Sequence, residues 1–269
     1  MNTETDLILG HVAFVADPGS DVPSIKTKVI QFADAPSFPP ELFQDSSEFW
    51  NLRGMKSFKA RRRTTEPLNN ALRVLDHSRF IADALRRDLQ LPKTPETLEI
   101  TILYGNPNPT SQFLDICQVG PISVTVKQDI PSSLARLDLD FSLAERRLQF
   151  HYGNDAYQCM RSQHTNVFHP PNERMDNYPI VFCHPETFSE ARDVVPSSGA
   201  PASGRLVRHN QQQRWLCLAN QTPAQILVHR VASSNLDDPI GGPILSTNVT
   251  GDLLIKPEDR ITVRYVIWS

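Results

Sequence analysis

Glycine is scarce in this sequence, and the local motifs that depend on glycine are missing. The 269 residues include 11 glycines, and none of them forms G-x-S-x-G, G-x-x-x-x-G-K-S/T or G-x-G-x-x-G. These patterns mark the serine-hydrolase elbow, the phosphate-binding loop and the dinucleotide site. Their absence predicts a protein that is not an enzyme and binds no cofactor. The alternative is a hydrolytic or metal site built from distant residues, because such a site needs no local motif.

Paired cysteines and long hydrophobic runs are also missing. Cys117, Cys159, Cys183 and Cys217 are widely spaced and form no C-x-x-C pair, which predicts buried free thiols in a reducing compartment. No stretch approaches the roughly 18 apolar residues of a membrane-spanning helix. The first 20 residues contain no Lys or Arg and do not resemble a secretion signal. We therefore expect a soluble cytoplasmic protein with no membrane span.

Positive charge is not in excess, since the net charge is −3 at pH 7. A basic surface over the whole chain is therefore excluded. The local exception is "RGMKSFKARRR", where six residues are basic: Arg53, Lys56, Lys59, Arg61, Arg62 and Arg63. Basic runs attract phosphates with little sequence preference. Residues 53–63 therefore predict contact with single-stranded nucleic acid or another polyanion, and a solvated loop balanced by acids elsewhere is the alternative.

Histidines and cysteines cluster in the middle of the chain without a recognisable metal pattern. The spacing Cys159-x4-His164-x4-His169 matches none of the recurrent zinc spacings. Cys183 and His184 are adjacent, so on a strand their side chains would point to opposite faces. We expect no metal site here and interpret these residues as core or loop positions. Whether they have another role is left open.

Two acidic residues on one predicted strand form a second candidate site. Asp138 and Asp140 alternate with apolar neighbours in "LARLDLDF", a spacing that could hold Mg²⁺. Arg136 shares their face, however, so a charged outer face of a half-wet sheet explains the pattern without metal.

Periodicity predicts a chain of short strands with one helix. The 22 prolines punctuate the sequence. Leucines and other apolar residues recur at helical spacing over residues 66–90, which predicts the single major helix. Alternating or β-rich stretches predict strands at 6–15, 24–33, 97–105, 113–119, 122–128, 134–142 and 146–153, and again in several runs after residue 178. Residues 154–178 are predicted to be irregular.

This arrangement predicts a mainly β fold, an antiparallel β-sandwich of jelly-roll type with the helix inserted between early strands. We expect one domain over residues 1–269. Residues 34–95 form its helix-containing excursion, and residues 194–205 form an exposed loop.

The last strand, "RITVRYVIWS", is predicted to close the sandwich. Ile261, Val263, Tyr265 and Ile267 share one face, which suits a core. The other face begins polar and becomes apolar at Trp268, so its far end should also be covered. Tyr265, Ile267 and Trp268 are therefore predicted to serve core closure or a subunit interface.

The strand order and the closing stretch "GDLLIKPEDRITVRYVIWS" resemble the single jelly-roll domain of icosahedral virus coat proteins. The resemblance implies a self-assembling capsid subunit, located in the virion, whose partners are copies of itself or related coat subunits. Residues 1–20 lack the basic arm of many RNA-virus coats, so the resemblance is to the picorna-like kind, unless residues 53–63 serve instead. The alternative function is a β-sandwich binding module: a nucleic-acid-binding movement-type protein, or a lectin-like or toxin-like protein.

Overall fold

The structure is a computed structural model of the 269-residue chain. It describes residues 8–15, 25–34, 50–51, 54–60, 71–103, 117–119, 122–127, 133–137, 146, 148–150, 152–154, 161–171, 173–195, 205–235, 237–250, 252, 254–255 and 257–268.

Fourteen strands are present in the described part of the chain. The first seven are β1 (Ile8–Val15), β2 (Ile25–Asp34), β3 (Met55–Lys59), β4 (Glu96–Leu103), β5 (Cys117–Val119), β6 (Ile122–Lys127) and β7 (Arg136–Leu137). The others are β8 (Ser162–His169), β9 (Ile180–Cys183), β10 (Arg205–Leu206), β11 (Trp215–Leu218), β12 (Gln225–Ser233), β13 (Ile244–Ser246) and β14 (Arg260–Trp268). The helices with described bounds are α1 (Ala71–Asp88) and the single turn α2 (Glu190–Asp193), with a 3-10 turn at Pro185–Thr187. Residues 50–51 and 148–150 are also helical.

The strands form two seven-stranded sheets. Sheet I has the order β1-β2-β11-β9-β13-β7-β10, and sheet II has the order β3-β12-β8-β14-β4-β6-β5. Neighbouring strands run antiparallel except β2 with β11 and β4 with β6. The predicted mainly β sandwich with one major helix is confirmed.

Apolar side chains from both sheets meet between them. Met55, Phe168 and Leu227 of sheet II pack with Phe182 and Leu216 of sheet I in one buried cluster. This cluster joins the two sheets, and burial of apolar surface of this kind is the main stabilising contribution in a sandwich.

Helix α1 covers the opposite face of sheet II. Its side chains Val74, Ile81 and Leu85 are fully buried against Val263 and Tyr265 of β14. Sheet II is therefore buried on both faces, which explains why β14 carries few exposed side chains.

The helix ends in a cap that usually contains glycine. Gln90 adopts a left-handed backbone with φ 54°. The Leu91 N–H bonds the Arg86 carbonyl at 2.9 Å, and the Gln90 N–H bonds the Arg87 carbonyl at 3.4 Å. These two bonds form the Schellman arrangement, and Pro92 follows directly.

Sheet I curls so that its first strand meets residues next to β7. The Ala13 N–H donates to the Ser133 carbonyl at 3.0 Å, and the Ala135 N–H donates to the Ala13 carbonyl at 2.9 Å. The curled sheet encloses its own apolar cluster, which includes Phe14 and Trp215 at 5.8 Å between ring centroids.

Three local predictions differ from the structure. Met55–Lys59 is a strand, although its basic composition suggested a loop, because Lys56 and Phe58 pack beneath the helix. Ser162–His169 is a central strand of sheet II within a segment predicted to be irregular. Residues 148–150 are helical rather than extended, and the Gly153 N–H bonds the Gln149 carbonyl.

Of the helices in the described ranges, none is long and apolar enough to cross a membrane.

Candidate active site

The central strands of sheet II present polar side chains toward sheet I. On β14, Ile261 and Val263 face the helix, so the alternating Arg260, Thr262 and Arg264 face the interior of the sandwich. A polar inner face between two sheets is costly unless its groups find partners. A buried polar side chain on this face that lacks a protein partner is therefore a candidate for binding a ligand.

Arg264 has partners on the neighbouring strands. Its Nε donates to Asn166 Oδ1 at 3.1 Å, and its Nη1 donates to Glu99 Oε2 at 3.2 Å. Asn166 and Glu99 both stand opposite Arg264 in the strand register. Arg264 therefore has a countercharge and hydrogen-bond acceptors within the protein.

Arg260 differs from Arg264, although the two lie on the same face of the same strand. Arg260 is 7% exposed. No described residue accepts a hydrogen bond from its Nε or Nη1. Burial, and next the positive charge of Arg136, lower the pKa of its guanidinium to about 10, while Glu258 opposes both effects.

Arg136 approaches Arg260 from the opposite sheet. It stands beside Ile244 in the register of sheet I, and Ile244 belongs to the apolar cluster between the sheets. Arg136 therefore shares this inner face. The expectation of a charged outer face at Arg136 is wrong, because alternation identifies a face without telling which side is covered.

The nearby carboxylate of Glu258 is already engaged. Its Oε1 accepts the backbone N–H groups of Asp176 at 2.8 Å and Asn177 at 2.6 Å, and its Oε2 accepts that of Tyr178 at 3.2 Å. Arg136 and Arg260 therefore bring two positive charges between the sheets. Glu258 offsets them in part, but no hydrogen bond joins it to Nε or Nη1 of Arg260. Guanidinium groups bind carboxylates in a two-point geometry.

A cavity of about 680 Å³ lies at one end of the sandwich. Both sheets and two loops line it. The apolar lining consists of Leu137, Pro185, Phe188, Val231, Ala232 and Ile240. Cavities of this size hold drug-sized ligands.

The predicted nucleic-acid residues have different positions. Lys56 is 4% exposed, and its Nζ lies 2.7 Å from Asp88 Oδ2 at the end of helix α1. Lys59 is exposed and lines a smaller pocket of about 370 Å³ with Phe80 and Arg87. The other four predicted residues, Arg53, Arg61, Arg62 and Arg63, lie outside the described residues. Contact with single-stranded nucleic acid and self-association both stay predictions.

The predicted closure residues lie at the end of β14. Tyr265 and Ile267 are buried beneath helix α1, and the Tyr265 hydroxyl donates to the Ser78 carbonyl at 2.6 Å. Trp268 is half-buried, with its ring 5.4 Å from that of Tyr152 in an edge-to-face contact.

Two described histidines of the cluster, His164 and His169, point to opposite faces of sheet II. His164 faces the interior and His169 faces the helix, where its Nδ1 lies 3.2 Å from His77 Nε2. Burial raises the pKa of the Cys183 thiol to about 12, so this sulfur is a neutral core group. Cys159, Asp138 and Asp140 lie outside the described residues.

One protein-family model matches part of the chain. A family model described as "YDMC: Oxidoreductase/YMDC permease-like domain" matches residues 116–242. No curated protein sequence is significantly similar to the chain.

Solved structures extend this similarity to the whole fold. The chain is similar to a structure titled "iron and alpha-ketoglutarate-dependent endoperoxidase NvfI with different conformation", with TM-score 0.71, 14% identity and 98% of each chain covered. A second structure of NvfI gives TM-score 0.68 at 14% identity, covering 98% of this chain and 97% of the other. At this identity the similarity establishes a shared fold.

These matches overturn the functional predictions from sequence. The coat-protein prediction, its virion location and the binding-module alternative are contradicted by the endoperoxidase and oxidoreductase matches. The prediction that the chain is not an enzyme is contradicted in the same way. The reason is that proteins with a jelly-roll order of strands have unrelated functions, so the strand pattern alone does not indicate a function.

The iron named in those titles does not fit the described residues. In the described ranges, no group of three His, Cys, Asp or Glu side chains could hold a metal ion. Non-haem iron oxygenases use two histidines and one carboxylate. We therefore assign no iron ligand among the described residues.

Arg260 and Arg136 were not singled out as site residues by sequence reasoning. The alternation of "RITVRY" correctly separates Arg260 and Arg264 from the core face. The sequence predicted that the second face of β14 is partly covered at its far end. A charged residue on a covered face needs a partner, and this requirement could have drawn attention to Arg260.

Proposed function

We propose that this chain is an enzyme of the oxidoreductase class that binds a small dicarboxylate between its two sheets. α-Ketoglutarate, which the titles of the similar structures name, is the first candidate. The oxidoreductase description of the family model over residues 116–242 supports the reaction class.

The observation that carries the proposal is the buried guanidinium of Arg260, whose Nε and Nη1 find no acceptor among the described residues. An unsatisfied buried donor costs about 1–3 kcal/mol, and Arg136 adds repulsion from the opposite sheet. A carboxylate would accept the free N–H groups, and a second carboxylate would balance the second cation. A dicarboxylate therefore matches this pair better than a monoanion does.

Calorimetric titration with α-ketoglutarate tests the binding site. The wild-type chain should bind it, and Arg260→Met should weaken binding roughly 10- to 100-fold, the value of a charge-assisted hydrogen bond. Arg264→Met is the matched control, because that arginine lies on the same strand face and is already paired. Equal affinity of wild type and Arg260→Met would contradict the proposal.

Binding is expected to need no metal. Because we assign no iron ligand, the affinity for α-ketoglutarate should be unchanged by Fe²⁺ under anaerobic conditions or by a chelator. A large gain in affinity on adding Fe²⁺ would show that residues outside the described ranges complete a metal site.

The enzymatic part of the proposal is tested by consumption of the ligand. Nuclear magnetic resonance should detect loss of α-ketoglutarate in the presence of the protein and oxygen, above the rate without protein. A loss that requires added Fe²⁺ would show that residues outside the described ranges complete a metal site. Arg260→Met should abolish that loss. Binding without any consumption would reject the oxidoreductase assignment.

We extend the proposal to a cytoplasmic location. Cys183 and Cys217 are buried free thiols on neighbouring strands, and free thiols are typical of reducing compartments. Fractionation of the source cells is the corresponding measurement.

A further inference from the structure

We propose that the 680 Å³ cavity binds an uncharged, largely apolar organic molecule. The description of that molecule as a substrate rests on the proposed function. Its recognition as a ligand rests on the cavity alone.

The walls of the cavity are aliphatic and aromatic. Leu137 and Phe188 line it from the side of sheet I, and Val231 and Ala232 of β12 line it from sheet II. Such walls favour apolar ligand surface, because binding removes that surface from water.

The polar side chains that line the cavity already have hydrogen-bond or ion-pair partners. Arg205 and Glu190 form an ion pair in which the guanidinium Nη1 donates to the carboxylate. The Ser233 hydroxyl donates to Asp238 Oδ2 at 2.6 Å and accepts the Asn235 N–H at 3.1 Å. A charged ligand would therefore find no free countercharge in these side chains, and it would have to leave water uncompensated.

One wall of the cavity is held rigidly by the loop after β12. His229 Nε2 donates to the Gly242 carbonyl at 2.8 Å, and the Gly241 N–H donates to the Arg230 carbonyl at 2.9 Å. A Cβ on Gly242 would lie 2.1 Å from the Cys183 carbonyl oxygen, so this close approach requires glycine. A wall fixed in this way reduces the ordering cost of binding.

The test uses two probes that differ in charge, 1-decanol and decanoate, measured by calorimetry at pH 7.5. Decanol should bind the wild-type chain, and decanoate should bind about tenfold more weakly, because its carboxylate stays uncompensated. Absence of decanol binding, or equal binding of both probes, would overturn the proposal.

Two independent variants fill the cavity. Ala232→Leu adds volume from the strand, and Ile240→Phe adds volume from the loop; each should weaken decanol binding about tenfold. Circular dichroism confirms folding, and the loop variant decides the result where the strand variant does not fold. Undiminished binding in a folded variant would overturn the proposal.

A charge variant tests the role of the ion pair. Glu190→Gln frees Arg205, so the ratio of decanoate affinity to decanol affinity should rise about tenfold. Arg174→Gln is the matched control, because Arg174 forms a surface ion pair with Asp176 outside the cavity lining. An unchanged ratio of the two affinities in Glu190→Gln would contradict the inference.

Titration of α-ketoglutarate on the same samples separates the two proposals. Loss of α-ketoglutarate binding with retained decanol binding rejects the proposed co-substrate and leaves the cavity assignment standing. The reverse result rejects the cavity assignment alone.

Discussion

At the scale of single residues, two arginines on one strand face have opposite energetic roles. Arg264 completes a network with Asn166 and Glu99, so it stabilises the fold. Arg260 is buried without such partners among the described residues, and Arg136 repels it. A charge held in this way is expected to serve a ligand at the expense of stability.

Removing each arginine should therefore change stability in opposite directions. Arg260→Met should raise the free energy of unfolding by roughly 1–4 kcal/mol, because it replaces an unbalanced buried charge with an apolar chain. Arg264→Met should lower it by about 1–3 kcal/mol, because it removes the hydrogen bonds to Asn166 and Glu99. Urea unfolding of both variants measures these changes, and a destabilised Arg260→Met would contradict the reading of Arg260 as unpaired.

His164 predicts how stability depends on pH. Burial, and next the positive charge of Arg264, lower its pKa from 6.5 to about 4. The unfolded chain therefore binds this proton at higher pH than the folded chain does. The contribution of neutral His164 to the free energy of unfolding is fully present above pH 6.5. It decreases by up to about 3 kcal/mol as the pH falls toward 4.

Two measurements check this pH dependence. The imidazole resonances of His164 should not titrate between pH 8 and pH 5. His164→Gln should lack the corresponding fall in unfolding free energy between pH 6.5 and pH 4. A titration midpoint near 6.5 in the folded protein would contradict the burial argument.

At the scale of elements, strand β14 joins all three layers of the fold. It pairs with β8 and β4, it packs against helix α1 through Tyr265 and Ile267, and its Val266 completes an apolar cluster with Leu98 and Leu148. The end of the strand therefore contributes to two separate clusters.

Deleting residues 266–269 should abolish soluble folding. The deletion removes the last three backbone pairs with β8, from Val266↔His164 to Trp268↔Ser162. It also opens both clusters to water. Solubility and far-ultraviolet circular dichroism measure the effect. Deletion of Ser269 alone is the control, and unchanged stability of the longer deletion would reject a closing role for this strand.

At the scale of the whole molecule, ligand binding should stabilise the folded state by mass action. α-Ketoglutarate at 100 times its dissociation constant should add about 2.7 kcal/mol to the free energy of unfolding. The melting temperature of the wild type should therefore rise with ligand concentration, while that of Arg260→Met should rise much less at the same concentration. In thermal scans with succinate and acetate as further ligands, the dicarboxylate succinate should raise the melting temperature more than the monocarboxylate acetate does.

The architecture followed from local patterns in the sequence. The helical spacing predicted over residues 66–90 corresponds to Ala71–Asp88, and the alternation in "RITVRYVIWS" corresponds to Arg260–Trp268. Strand Ser162–His169 escaped prediction because its polar residues, among them His164 and Asn166, gave no apolar alternation. Hydrophobic periodicity does not detect a central strand whose inner face is polar.

The sequence by itself determined the period of each segment, and through it the β-sandwich, the helix and the core face of the last strand. Only the tertiary structure decided what covers the other faces. Alternation places Arg136 and Arg260 on faces of their own strands, but only the packing of sheet I on sheet II brings the two guanidinium groups together. The candidate site depends on that meeting of distant segments, which local periodicity does not encode.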